Sequence, residues 1–337
     1  MKYLALIALA CVLASHASAQ EVVLRLHHFM APTANTPSLV LKPWAEEIEA
    51  ASEGRIAIKF FDSMSLGGRP SDLYDQAADG AVDIILTLPG YTPGRFNMGE
   101  VFELPFISKD AVATSKAYYD LVTEKLQNDE FSETKVLAAW VHGPGVIHSK
   151  EPIKRLEDLH GKSLRGPTRV VTDMLAELGA APVGMPLPAI PENLSKGVVD
   201  GALLPWEITP SIRLTELVGH HSELSGPNAF YTAIFVLAMN WDAYEAMPDD
   251  LREILDNHSG KKLSARLGAM QSGGDATGRK AAENNNIYIL DETEVARWVE
   301  AVEPVYKNWI AKAENKGFDG QALIDRAKAL IKANHKE

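Results

Sequence analysis

The stretch GKSLRGPTR, Gly161 to Arg169, carries the densest chemistry in the chain. Gly-Lys-Ser resembles the end of a phosphate loop, and two guanidinium groups, Arg165 and Arg169, flank a Gly-Pro-Thr turn. A phosphate loop needs a further glycine in the spacing G-x-x-x-x-G-K-[ST], so that successive backbone N–H groups wrap the phosphates. That position is Leu156, and the nucleotide reading falls. Arginine offers something else: a planar fork of donors that meets a carboxylate with two parallel hydrogen bonds. Arg165 ends the short strand KSLRGP, and Arg169 opens the helix VVTDMLAELGA. Ligands of α/β sheets sit outside the carboxyl ends of strands, where helix N-termini also turn free N–H groups toward an anion. The spacing therefore points to a carboxylate clamp at Arg165, with Arg169 as a candidate second donor.

Other chemistries find less support. There is no G-x-S-x-G elbow for a serine nucleophile and no H-E-x-x-H zinc helix. The pairs His27-His28 and His220-His221 consist of strand neighbours that face opposite sides, so neither pair chelates one ion; one histidine of each pair is expected inside and one in water. No metal, cofactor or catalytic residue is expected. An exported α/β enzyme acting on carboxylates is the alternative, with Arg165 binding substrate and His28 or His142 as base. Several aromatic residues stand at element ends: Trp206 beside Pro205, Trp140 close to His142, Tyr91 in LTLPGYTPGRF with Arg95 after it, and Tyr231-Thr232 in AFYTAIFVLAMN. Each aromatic side chain either stacks on a ligand or fills the core, and for Trp206 the cleft is the expected place.

The elements that would position these residues follow from periodicity. EVVLRLHHF, RIAIKFF and AVDIILTL read as strands, separated by the helices TPSLVLKPWAEEIEAASEG and RPSDLYDQAADG, with Thr36 and Ser71 as expected N-caps and Pro43 as a kink. This β-α-β-α-β order argues for a doubly wound parallel sheet. TKVLAAWVHG, KSLRGP, APVGMP and VVDGALLP continue the alternation in a second lobe, and AFYTAIFVLAMN is long enough to cross between lobes. From Trp241 the pattern is helical, interrupted by the strand NIYILD. The expected fold is α/β and two-lobed. Lobe 1 takes residues 20–141 with about 231–260, and lobe 2 takes 142–230 with part of the C-terminal region. Residues 261–337 form a helical region packing across both.

MKYLALIALACVLASHASAQ has a positive start, an apolar run and Ala17-Ser18-Ala19, the pattern of a cleaved export leader over residues 1–19. Cleavage removes Cys11, the only cysteine, and with it any disulfide or thiolate chemistry. The expected location is the periplasm. A net charge of −12 excludes nucleic acid as a natural partner and requires local donors if the ligand is an anion.

Asp158 to Pro205, DLHGKSLRGPTRVVTDMLAELGAAPVGMPLPAIPENLSKGVVDGALLP, resembles the most recognisable segment of the solute-binding proteins of tripartite ATP-independent periplasmic (TRAP) transporters. FFDSMSLGG, DGAVDI, FELPFI and AMNWDAYEAMPDDLREIL extend the resemblance across the chain after the leader. It implies a venus-flytrap closure of two lobes, a small organic acid as ligand, TRAP membrane subunits as partners, and Arg165 as the arginine pairing the ligand carboxylate. A monomer is expected. A second arginine, which members binding larger acids carry near Gly143–Val146, is missing here; either Arg169 replaces it or the ligand has one carboxylate. ALLPWE, with Leu203, Leu204 and Trp206, stands where the family often has polar residues. The favoured ligand is therefore an aromatic or 2-oxo monocarboxylate, with a C4-dicarboxylate next.

Overall fold

The structure, a computed structural model, describes residues 20–335. The leader expected over residues 1–19, with Cys11, lies outside the described residues. Within them the strands are β1 (Val22–His28), β2 (Ile56–Phe61), β3 (Ile84–Thr87), β4 (Thr134–Val141), β5 (Gly145–Ser149), β6 (Ser163–Gly166), β7 (Ala181–Gly184), β8 (Gly201–Pro205), β9 (His220–Leu224), β10 (Ile234–Asn240) and β11 (Asn286–Leu290). They form two sheets, ordered β2-β1-β3-β10-β4 and β11-β9-β5-β8-β6-β7, one for each lobe.

The first sheet follows from period-2 patterning. Leu24 and Leu26 are buried, while Arg25 between them turns out to Asp83, 3.0 Å away at the start of the next strand. β1 pairs in parallel with β2 and β3, and β10 inserts antiparallel between β3 and β4. In the second sheet β6 lies parallel between β7 and β8, so the carboxyl ends of β6 and β8 open toward the first lobe.

Pro43 does not kink a single helix. Residues Thr36–Leu41 form wide π-helical turns, with Lys42 N–H bonding Pro37 O, and an α-helix runs from Lys42 to Ala51. Proline has no N–H to continue the ordinary ladder, and the wide turn accommodates the gap. Thr36 is not the N-cap: Asn35 holds that position and Thr36 is buried. Ser71 caps nothing either, because Asp72 accepts the Arg69 N–H and starts the turn.

The chain passes between the lobes through residues 142–144, through 225–233, and again after the long helix Lys261–Ala281. The expected crossing strand is shorter than its apolar run, since β10 begins only at Ile234. Before it, the backbone bonds to the other crossing: Gly145 N–H to Tyr231 O (3.1 Å) and Ala233 N–H to His142 Nε2 (3.0 Å). A Cβ on residue 145 would stand 1.9 Å from the Tyr231 ring, so only glycine lets the two crossings touch. The long helix packs on β4 and on the helix Ala111–Glu124 of lobe 1, and on the 3₁₀ segment Trp206–Ile212 of lobe 2. A Cβ on Gly278 would meet Trp206 O at 1.9 Å, so this helix–segment contact also depends on glycine.

Candidate ligand-binding site

A cavity lies between the lobes. Lobe 1 contributes Phe29, Tyr91 and Phe235, lobe 2 contributes Arg165, Leu203 and Leu204, and the crossings add His142 and Tyr231. The walls are apolar with a few polar groups converging, the usual character of a small-molecule site.

Arg165 sits where β6 ends and Gly166-Pro167 turns the chain, with only 1% of its surface exposed. Its Nε donates to Met185 O and its Nη1 to Leu203 O, both at 2.9 Å. These neutral carbonyls lock the plane of the guanidinium, and its remaining N–H groups stand beside the phenols of Tyr91 and Tyr231. No carboxylate among the described residues pairs with it. Burial holds its pKa below the ordinary arginine value, yet a guanidinium keeps its charge. A buried cation without an anion is costly, and here it faces a cavity.

Tyr91 has its hydroxyl bonded by Leu187 N–H at 3.0 Å, and its ring meets Phe29 edge-on. Tyr231 is buried with its hydroxyl unpartnered. Burial raises the pKa of both phenols, so both remain neutral donors at physiological pH. His142 also lines the cavity, but its ring is occupied: Nδ1–H donates to Gly143 O (2.5 Å) and Nε2 accepts from Ala233 N–H. Desolvation lowers its pKa to about 4, which keeps it neutral. It braces the crossings at the cavity wall and has no free basic nitrogen.

The other sequence candidates lie elsewhere. Arg169 turns away from the cavity and forms a two-point ion pair with Glu100 of lobe 1, so it joins the lobes. Trp206 does not face the cleft. Pro205 leads into the 3₁₀ segment, which swings the indole to the far side, where it donates to Glu223 (2.7 Å) and packs on His148 and His221. Those two rings form a chain: His148 Nε2–H donates to Leu204 O, His221 Nδ1–H to His148 Nδ1, and Asn285 to His221 Nε2. Trp140 is fully buried behind Phe235, stacked at 5.3 Å, and belongs to the core of lobe 1. Thr232 is buried and donates to His142 O at 3.0 Å. His28 is also outside the cavity lining. Its Nε2 lies 2.9 Å from Asp62, and burial lowers its pKa to about 4. His27 and His28 are both inside, because Gln76 and the Leu66 N–H satisfy the ring expected in water. Arg95 pairs with Asp75 and Glu133 on the surface of lobe 1. No group of acidic residues, histidines or cysteines that could hold a metal ion occurs among the described residues.

Several lining residues carried no local sign in the sequence, among them Phe29, Phe235, Glu207 and Gln271. Phe29 and Phe235 read as ordinary strand residues. Glu207 follows Trp206 and belongs to no motif of its own. Gln271 lies in a long polar helix far from every strand end, and only the tertiary fold brings it in.

The family described as bacterial extracellular solute-binding protein, family 7 (DctP), matches residues 27–313. A TRAP solute-binding protein from Rhodoferax ferrireducens T118, solved in complex with copurified benzoate, is 50% identical with a TM-score of 0.91, covering 94% of this chain and 99% of that one. A marine metagenome TRAP solute-binding protein specific for aromatic acid ligands, co-crystallised with 3-hydroxybenzoate, is 43% identical with a TM-score of 0.91 over 94% and 99% of the two chains. A third, from Bordetella bronchiseptica with bound (R)- and (S)-mandelate, is 28% identical with a TM-score of 0.85 over 93% and 99%.

Proposed function

Since the chain belongs to family 7 of the bacterial extracellular solute-binding proteins, the receptors of TRAP transporters, we propose that its ligand is an aromatic monocarboxylate held by Arg165 in the interlobe cavity. One observation carries this reading: a buried guanidinium, fixed by two carbonyls and free of any acidic partner, faces an apolar cavity. The carboxylate takes the N–H groups left over by Met185 and Leu203, with the Tyr91 and Tyr231 hydroxyls beside it. Phe29, Phe235 and Leu204 enclose the ring.

The magnitudes agree with an acidic protein binding an anion. Each hydrogen bond to a charged group contributes about 1.5–3 kcal/mol, while distant surface charge is screened over roughly 8–10 Å. Burying a ring adds on the order of 25 cal/mol per Å². A dicarboxylate is the weaker candidate, because Arg169 is committed to Glu100 and supplies no second clamp. The relatives that bind benzoate, 3-hydroxybenzoate and mandelate support the aromatic choice over a 2-oxo acid. We place the protein in the periplasm after loss of residues 1–19, working as a monomer that delivers unchanged ligand to TRAP membrane subunits. Rotation about the crossings at 142–144 and 225–233 opens the cavity.

A thermal-shift screen of benzoate, mandelate, pyruvate and succinate, with mass spectrometry of any copurified acid, tests the reading. A ligand at about a hundred times its Kd stabilises the folded state by roughly 2.7 kcal/mol. Benzoate or mandelate should shift the melting temperature most. A larger shift with succinate, or conversion of the acid to a product, would overturn it.

A further inference from the structure

The cavity has a second polar region that the carboxylate clamp does not use. Glu207 opens onto it from the segment after β8 and is 3% exposed, with Oε1 buried and unpartnered. Gln271 opens onto it from the long helix and is 1% exposed; its Nε2 reaches Thr36 Oγ1 at 3.4 Å and its Oε1 is likewise unpartnered. The two are neighbours. Asn35, adjacent to Thr36, stands beside the Glu207 carboxylate, and Gly274, one turn beyond Gln271, approaches Glu207 so closely that a Cβ there would be 2.4 Å from its Cγ.

This region is separate from the clamp. The groups acting on Arg165 are Tyr91 and Tyr231, while those acting on Glu207 are Asp275 and Asn35. Neither charge serves the other, although both face one cavity. Burial and the neighbouring Asp275 push the Glu207 pKa up to about 7, as expected for a carboxyl short of donors.

Resting on the aromatic-acid reading above, we propose that Glu207 and Gln271 form an acceptor end that selects ring acids bearing a hydrogen-bond donor, a hydroxyl or an amine, away from the carboxylate. Buried oxygens without donors are a standing penalty that such a substituent removes, and a methyl group of similar size does not. A site built to bond a ligand donor rejects the analogue lacking it far more strongly than an apolar pocket rejects a missing methylene. The clamp fixes one end of the ligand, so donor position on the ring becomes the property that is read.

Calorimetric titration of the full chain with benzoate and with its 3- and 4-hydroxy, amino and methyl derivatives tests this. At one ring position the hydroxyl or amine should bind at least about tenfold tighter than the methyl. In Glu207→Leu/Gln271→Leu that ratio should fall to near one. Equal affinities for donor and methyl acids in the unmodified protein, or an unchanged ratio in the double variant, would overturn the acceptor end alone. Failure of every acid to bind, benzoate included, would remove the receptor reading and this inference with it. Should the double variant not fold, the donor-to-methyl ratio of the unmodified protein decides by itself.

Discussion

Replacing Arg165 by methionine separates binding from stability. The substitution removes a buried charge whose desolvation costs several kcal/mol. It also strips Met185 O and Leu203 O of charged hydrogen bonds, each made at 2.9 Å and each contributing about 1.5–3 kcal/mol. These contributions oppose one another and are of similar size, so the ligand-free melting temperature should stay within a few degrees of the parent. Binding has no such compensation. Two parallel hydrogen bonds to a carboxylate contribute about 3–6 kcal/mol, and each 1.4 kcal/mol is a factor of ten in Kd. Benzoate affinity should therefore fall by roughly two to four orders of magnitude. Arg165→Lys should fall in between, since it keeps the charge and loses the fork. Titration calorimetry reads the affinity, and thermal unfolding without ligand reads the stability. Binding by Arg165→Met within tenfold of the parent would refute the clamp, and a collapse of ligand-free stability would refute the balance drawn for the buried charge.

Other outcomes follow from the lobe contacts and the buried carboxyls. Arg169→Ala leaves Glu100 without its cross-lobe partner, so the closed form should lose population: benzoate affinity should weaken about tenfold, and the ligand-free protein should scatter X-rays with a larger radius of gyration. Glu103 accepts from Ile234 N–H while its Oε2 has no partner, and burial raises its pKa from 4.5 to about 8. A carboxyl with a raised folded pKa binds more protons folded than unfolded, so its stabilising contribution is complete below pH 4.5 and drains as pH rises toward 8. Glu103→Gln should therefore raise the melting temperature more at pH 8 than at pH 5; equal changes at both would show that the group does not titrate in that window. Gly278→Ala forces a methyl against Trp206 O and should destabilise by about 1–3 kcal/mol in denaturant titrations.

The parts of the fold legible in the sequence were those with strong periodicity. β1, β2 and β3 show alternation or a short apolar run, and the β6–helix–β7–β8 segment carries glycine and proline stops. β5 and β9 were not visible. GVIHS is five residues buried throughout, so it shows no alternation, and HHSEL is polar because His221 bonds His148 and Asn285 while His220 pairs with Tyr288. The helix AVATSKAYYDLVTE went unread because small residues dominate its buried face. At the site, Arg165 was readable because strand end, turn and helix start coincide. Trp206 misled because its position gave the end of β8 and not the direction in which the next turn rotates the indole. Gln271 was out of reach: its role depends on the long helix meeting the segment after β8, and no local pattern encodes that meeting.

The placement of β10 governs how the chain can fold. It is the fourth strand across the first sheet, between β3 and β4, yet it follows every strand of the second sheet except β11. As the chain emerges from its N-terminus, β4 has no partner until residue 240 has appeared, and β9 lacks its outer neighbour until residue 290. Neither lobe can close as an independent early unit, and many pairings span long sequence separations, which slows folding. A nascent chain stopped before Ile234 holds two unfinished sheets. The same insertion that ties the lobes across the cavity thus keeps the first sheet incomplete until about 240 of the 337 residues have been made.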